Sequence, residues 1–251
     1  MAVQTPSGRW LVINASPDVA DQLEGLYDDN RPAELAGVVL TDAELDHTLG
    51  LLRLREHETP LTVVATPYVR RVLSVDFPID SVLSHWAGLR WRDLLPGADP
   101  IEIDGLIVEA LSTGCAGPRF AASRVDEEAV VALVVRLGAA TLVCAPAVER
   151  INCALESVLR SADCVLFDGT CWTDDELLSV RANARTASQM GHLPLSGPSG
   201  SLQTLRAIDV RHLLLIHVNN TNPVLLEDSP EHAALRGMGV EVAQDGLELA
   251  L

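Results

Sequence analysis

Four residues able to hold a metal or move a proton fall within one short run, Asp42-Ala-Glu44-Leu-Asp46-His47. Carboxylate oxygens and imidazole nitrogens are common donors to first-row divalent metals. The run follows an apolar stretch, Ala36-Gly-Val-Val-Leu40, which reads as a short buried strand. It precedes a Leu49, Leu51, Leu52, Leu54 pattern that starts a helix. Open α/β sheets bind ligands at the carboxyl ends of such strands. The plain alternative is an acidic strand-to-helix turn, with Thr41 or Asp42 as N-cap and Glu44 in the first turn. Taken locally, the run fits both.

Other polar residues also stand at or near strand ends. Asp168 follows the apolar run Cys164–Phe167, and His217 follows Leu213–Ile216. His192 sits in a Gly-, Pro- and Ser-rich loop between Arg185 and Gly200. Asp168 reads as a cap of the Gly169 turn or as a metal-adjacent group, and His192 as a loop hydrogen-bonder or a proton-transfer residue. Asn219, Asn220 and Asn222 shape the turn after His217 or meet substrate. His57, His85, His212 and His232 read as surface or structural histidines, and Asp174, Asp175 and Glu176 as a solvated helix start.

The run Asp42–His47 resembles the metallo-β-lactamase superfamily motif His-x-His-x-Asp-His, with the closing Asp-His intact and both leading His replaced by carboxylates. That change, with Thr48-Leu-Gly-Leu-Leu-Arg-Leu-Arg-Glu56, is similar to the coenzyme PQQ synthesis protein B family. Asn14-Ala-Ser-Pro-Asp18, Phe167-Asp-Gly-Thr170, Met190-Gly-His192 and Ile216-His-Val-Asn-Asn-Thr-Asn-Pro223 carry the same resemblance, as do Asp228-Ser-Pro-Glu231 and Glu241-Val-Ala-Gln-Asp-Gly246. The resemblance implies an α/β chain forming a single metallo-β-lactamase-like domain over 1–251, an αββα sandwich of two similar halves. It also implies that the family's usual first strand and cysteine cluster are lacking here, which leaves Trp10–Ile13 as an exposed sheet edge open to a homodimer or a partner subunit.

The superfamily builds two adjacent metal sites. The first would lack every imidazole here, because Asp42 and Glu44 replace two His and the Thr113–Pro118 loop carries none. The second would keep Asp46, His47 and His217, with Asp168 beside them. The expectation is one divalent metal per chain, Fe(II) favoured and Zn possible, since two His and one carboxylate match the non-haem iron oxygenase arrangement. O2 would then be co-substrate, His192 and Asp168 catalytic, and Asp42, Glu44 and Asn219 would support the ligands or face substrate. The implied activity is hydroxylation of a tyrosine-derived or peptide substrate in PQQ-type cofactor or natural-product biosynthesis. The alternatives are a zinc hydrolase and a non-catalytic carrier.

The elements that must position these groups are legible as apolar runs. Trp10–Ile13, Leu61–Ala65, Leu106–Leu111 and Leu213–Ile216 read as strands, with shorter ones at Leu89–Trp91 and Ile101–Ile103. Asp18–Leu26, Pro67–Leu73, Glu149–Ser161, Leu202–Ile208 and Pro230–Arg236 read as helices. Val240–Val242 and Leu247–Leu249 read as a closing hairpin. The most apolar stretch, Ala129–Val148, carries Arg136 and a Gly138 turn, so it reads as a hairpin and not as a membrane span. The 251 residues are 48% hydrophobic and hold 18 Lys and Arg against 35 Asp and Glu, a net charge of −17. Such a field repels phosphate backbones and argues against a nucleic-acid substrate. Five cysteines without Cys-x-x-Cys spacing read as reduced thiols, and the chain as cytoplasmic.

Overall fold

In a computed structural model described over residues 1–26, 32–57 and 59–251, the apolar runs become strands whose carboxyl ends carry the chemistry-bearing residues. The chain divides into two units, Met1–Ser112 with Ala116–Val131, and Thr113–Cys115 with Ala132–Leu251.

The first unit holds a five-stranded sheet made of β1 (Ala2–Gln4), β2 (Trp10–Ile13), β3 (Leu35–Val39), β4 (Leu61–Ala65) and β5 (Leu89–Asp93), in that order. Strands β2 to β5 are parallel and need crossovers between them. Short helices lie in those connections: α1 (Val19–Glu24), α2 (Leu45–Thr48), α3 (Pro67–Arg71) and α4 (Ile79–Leu83). Leu11, Val38, Val39, Val63 and Val64 are fully buried, the continuous apolar pattern expected of parallel strands covered on both faces. A hairpin of β6 (Ile101–Ile103) and β7 (Leu106–Ser112) turns at Asp104-Gly105, both with positive φ, as a two-residue hairpin turn requires.

Trp10–Ile13 is not an edge. Strand β1 pairs with it antiparallel, Ala2 opposite Val12 and Gln4 opposite Trp10, because Thr5-Pro-Ser-Gly8 turns the chain back. The helix expected from Leu49 onward is the single turn α2 followed by a 3₁₀ segment, Leu49–Leu52.

The second unit holds β8 (Val131–Leu137) from Ala132 onward, β9 (Ala140–Ala145), β10 (Cys164–Asp168), β11 (His212–Ile216) and β12 (Glu241–Val242), adjacent in the order β12-β11-β10-β9-β8. The apolar stretch read as a hairpin is the β8–β9 pair, turning at Gly138. Strand β10 is central and buried at every residue. Its helices are α5 (Cys153–Ser161), α6 (Glu176–Val180), α7 (Ala187–Met190), α8 (Leu202–Leu205) and α9 (Pro230–Gly237). Helix α5 starts later than Glu149 because the Asn152 side chain accepts from Leu155 N and caps it there. The closing hairpin is absent: Leu247–Leu249 forms no strand, and β12 returns from the α9 crossover parallel to β11. Among the described residues, no helix is long and apolar enough to cross a membrane.

Candidate metal centre

In the first unit the site is assembled where β3 ends. Asn14 adopts a left-handed backbone (φ 57°) at the end of β2. Its side chain grips Thr41, Nδ2 donating to Thr41 Oγ1 at 2.8 Å and Oδ1 accepting from Thr41 N at 2.9 Å. An uncharged amide therefore fixes this turn. Asp42, next in the chain, is 1% exposed. It accepts from Thr41 Oγ1 at 2.7 Å and Glu44 N at 2.9 Å, and it meets His47 Nδ1 at 2.7 Å. Neither Thr41 nor Asp42 is the N-cap; Glu44 stands there, its side chain making no cap bond.

Asp42 is thus the partner of His47. A carboxylate on Nδ1 fixes the ring's orientation and presents Nε2, the nitrogen lying 4.0 Å from Asp46 Oδ2. Asp46 itself is exposed. Burial opposes charging His47, but the Asp42 carboxylate, by charge and hydrogen bond, then Asp46 and Glu44, raise its pKa to about 9. Burial would raise Asp42, yet His47 and the Thr41 and Glu44 bonds hold it below the ordinary carboxylate value. Glu44 is raised, by burial first and then by Asp42 and Asp46. Gly50 lets the following segment close onto the β2 loop: a Cβ there would lie 2.1 Å from Ser16 O.

In the second unit Asp168 ends the central strand, fully buried. Its Oδ2 accepts from Val148 N at 2.9 Å and meets His192 Nδ1 at 2.7 Å. Its Oδ1 accepts from Thr170 N at 3.0 Å and Thr170 Oγ1 at 2.7 Å. Burial would raise this carboxyl, but His192, His217 and Thr170 together keep it below its ordinary value. Thr170 Oγ1 also lies 3.1 Å from His192 Nδ1 and 2.8 Å from His217 Nδ1. The two rings stack, centroids 5.3 Å apart and planes 21° from parallel. His217 takes a positive φ of 55° where β11 gives way to the Asn-rich turn. Asp168, His192 and His217 offer donor atoms all within 4.8 Å of one another, a set able to hold a metal ion.

Asp46 and His47 belong to the first unit, and Asp168, His192 and His217 to the second. Asn219 shapes its turn: its N–H donates to Thr170 O, and its side chain bonds Thr221 Oγ1 and Asn220 N. Asn222 is buried and donates to Gly169 O at 2.8 Å. Glu176 is not solvated; it is buried, accepting from Trp172 N and Thr221 Oγ1. Cys115, in the loop where the superfamily carries a His, is buried among Thr113 and Gly191 O, and burial pushes its thiol up to about 12. Its Sγ is engaged, accepting from Thr113 Oγ1 at 3.2 Å and donating to Gly191 O at 3.0 Å. Thr170 is the participant that residue-type reasoning missed; its signals were its place two residues beyond Asp168 and in the Phe167–Thr170 string that carries the resemblance.

A family model described as the beta-lactamase superfamily domain matches residues 9–218. The coenzyme PQQ synthesis protein B of Cupriavidus necator is 40% identical over 253 residues, covering 96% of this chain and 83% of that one. The crystal structure of zinc-bound PqqB from Methylobacterium extorquens superposes with a TM-score of 0.88 at 32% identity, covering 100% of this chain and 86% of that one. The metallo-β-lactamase fold protein YhfI from Bacillus subtilis, at 15% identity and a TM-score of 0.64, shares the fold; it covers 95% of this chain and 86% of that one.

Proposed function

Because the chain belongs to the coenzyme PQQ synthesis protein B family, within the β-lactamase superfamily and its metallo-β-lactamase fold, we propose that it is a metal-dependent oxidoreductase of PQQ-type cofactor biosynthesis. In this reading Asp46, His47 and His217 hold one divalent metal, and the reaction is Fe(II)- and O2-dependent hydroxylation of a tyrosine-derived or peptide substrate in the cytoplasm. The observation that carries it is the Asp42–His47 pair: a buried carboxylate on Nδ1 leaves Nε2 as the ligand nitrogen, the usual support of a metal-bound imidazole. The donor chemistry fits a first-row divalent ion, with imidazole and carboxylate on offer.

Bound Fe(II) would supply the activation of O2. The protein's own groups do the rest. His192, backed at Nδ1 by Asp168, takes the phenol proton at Nε2, and the Asp168 carboxylate stabilises the resulting imidazolium. Asp42 holds the His47 ring, Glu44 stands beside it with a raised pKa, and Asn219 shapes the wall after His217. Zinc is the competing occupant, since the M. extorquens relative was crystallised with Zn(2+), and zinc on these residues would favour hydrolysis through an activated water. The test is anaerobic purification, iron reconstitution and O2-uptake assays on tyrosine-containing peptides. Stoichiometric, iron-dependent O2 consumption with a hydroxylated product is expected. Hydrolysis with zinc, and no O2 uptake with iron, would replace this reading by the hydrolase.

A further inference from the structure

We infer that the Thr170 hydroxyl is a positioning group for His217, fixing that ring with Nδ1 protonated and Nε2 as the lone-pair nitrogen, while Asp168 assigns His192 the same way. The argument is a count of protons around one oxygen. Thr170 Oγ1 lies 2.7 Å from Asp168 Oδ1, 2.8 Å from His217 Nδ1, 3.1 Å from His192 Nδ1 and 3.1 Å from the His217 carbonyl oxygen. A hydroxyl has one proton to give and two lone pairs to receive. Asp168, as a carboxylate, is acceptor-only, and its two oxygens take Val148 N, Thr170 N, His192 Nδ1 and the Thr170 hydroxyl. Two oxygens at 2.7 Å with no proton between them would repel, so the Thr170 proton goes to the Asp168 carboxylate, which is nearer than the neutral His217 carbonyl at 3.1 Å; neither oxygen can donate. The Thr170 oxygen is then an acceptor toward His217, which must carry its proton on Nδ1. The shortest bond of His192, Nδ1 to Asp168 Oδ2, assigns that ring the same way. Both Nδ1 edges face one oxygen and the rings are nearly parallel.

The hydroxyl thereby orients His217 beside the Asp168-held His192, and it acts through that ring without touching a reacting atom. This deepens the oxidoreductase reading, on which only the metal-affinity arm of the test depends. The tautomers are read in metal-free, ¹⁵N-imidazole-labelled protein at neutral pH by long-range proton–nitrogen correlation. His217 and His192 are expected as Nδ1–H in the parent. In Thr170→Val, His217 is expected to shift toward Nε2–H, and Thr170→Ser is expected to restore the parental pattern. In a competition titration with Zn(II) alone, Thr170→Val is expected to bind about tenfold more weakly, the low end of the effect of losing a ligand's outer partner, with Thr170→Ser as the parent. An Nε2–H His217 in the parent overturns the inference even if the valine variant does not fold. So does a folded valine variant with unchanged tautomers and unchanged affinity. The tautomer reading needs neither iron nor turnover, so absent O2 uptake with Nδ1–H rings would sink the oxygenase and leave the role of Thr170 standing.

Discussion

His47 and Asp42 bury an ion pair whose members each lose a partner if the other goes. His47→Ala opens little apolar space, but it strands the Asp42 carboxylate, which is 1% exposed. Breaking a buried pair from one side costs about 3–5 kcal/mol, whereas removing both charges costs far less. The expected result in urea unfolding is a large loss for His47→Ala and recovery of much of it in His47→Ala, Asp42→Asn. Equal losses in the single and double variants would mean that the pair is not coupled. Asp42→Asn alone should keep the fold and weaken metal binding by roughly 10–100-fold, since a neutral amide oxygen is a weaker acceptor for His47 Nδ1 than the carboxylate that orients it. Because Asp42 is spent on His47 and Glu44 is repelled by two neighbouring carboxylates, a second cation has no strong site there. A metal titration should give one ion per chain in both the parent and the Asp42→Asn, Glu44→Gln variant; two tightly bound ions in the parent would contradict this.

At the level of elements, close packing of β10 against β11 decides where Asp168 and His217 stand. A Cβ on Gly169 would sit 2.9 Å from Leu215 Cβ and 3.1 Å from Ile216 O, both on β11. Gly169→Ala must push β11 away, at a cost of about 1–3 kcal/mol typical of overpacking, and it should lower metal affinity as well as the urea midpoint. Elsewhere the β1–β2 turn is tied to the β6–β7 turn through Asp104, which takes bonds from Thr5, Ser7 and Arg9. Those bonds, Arg9 first, then Ser7 and Thr5, hold the Asp104 pKa well below the carboxylate range. A depressed folded pKa means that this stabilisation is present above the unfolded value near 3.8 and is lost as pH falls through the lower folded value. Asp104→Asn should therefore be less stable than the parent at pH ~5, with the gap closing in strong acid. A pH-independent gap in urea midpoints would show that Asp104 does not titrate with folding.

For the molecule as a whole, a net charge of −17 sets what can approach it. No retardation of RNA is expected in gel-shift assays even at low salt, because 35 Asp and Glu outnumber 18 Lys and Arg and the net field repels phosphates. Binding that weakens steeply with added salt would refute that. Strand β1, of three residues, is now the outer strand beside β2, and a short edge is a blunt template for another chain. The proposed homodimer or partner subunit would have to pair with Ala2–Gln4, and light scattering at high concentration checks it: a monomer mass throughout removes the edge from consideration.

The sequence by itself determined most strands and the polar residues at their ends. Parallel strands buried on both faces are continuous apolar runs, and Val38–Val39, Val63–Val64 and Cys164–Phe167 read that way without any partner in view. It also determined the donor types, Asp46, His47, Asp168, His192 and His217, and the net negative charge. Only the tertiary structure decided how those donors are held. That β1 covers Trp10–Ile13, that Glu176 is buried, and that Asp42 serves His47 and not a helix cap depend on which groups meet across the fold. Thr170 reaches His217 across 47 residues of chain, and Asp168 reaches His192 across 24. Periodicity and propensity act over a few residues, whereas a hydrogen bond between groups that far apart exists only once the strand order has brought them together.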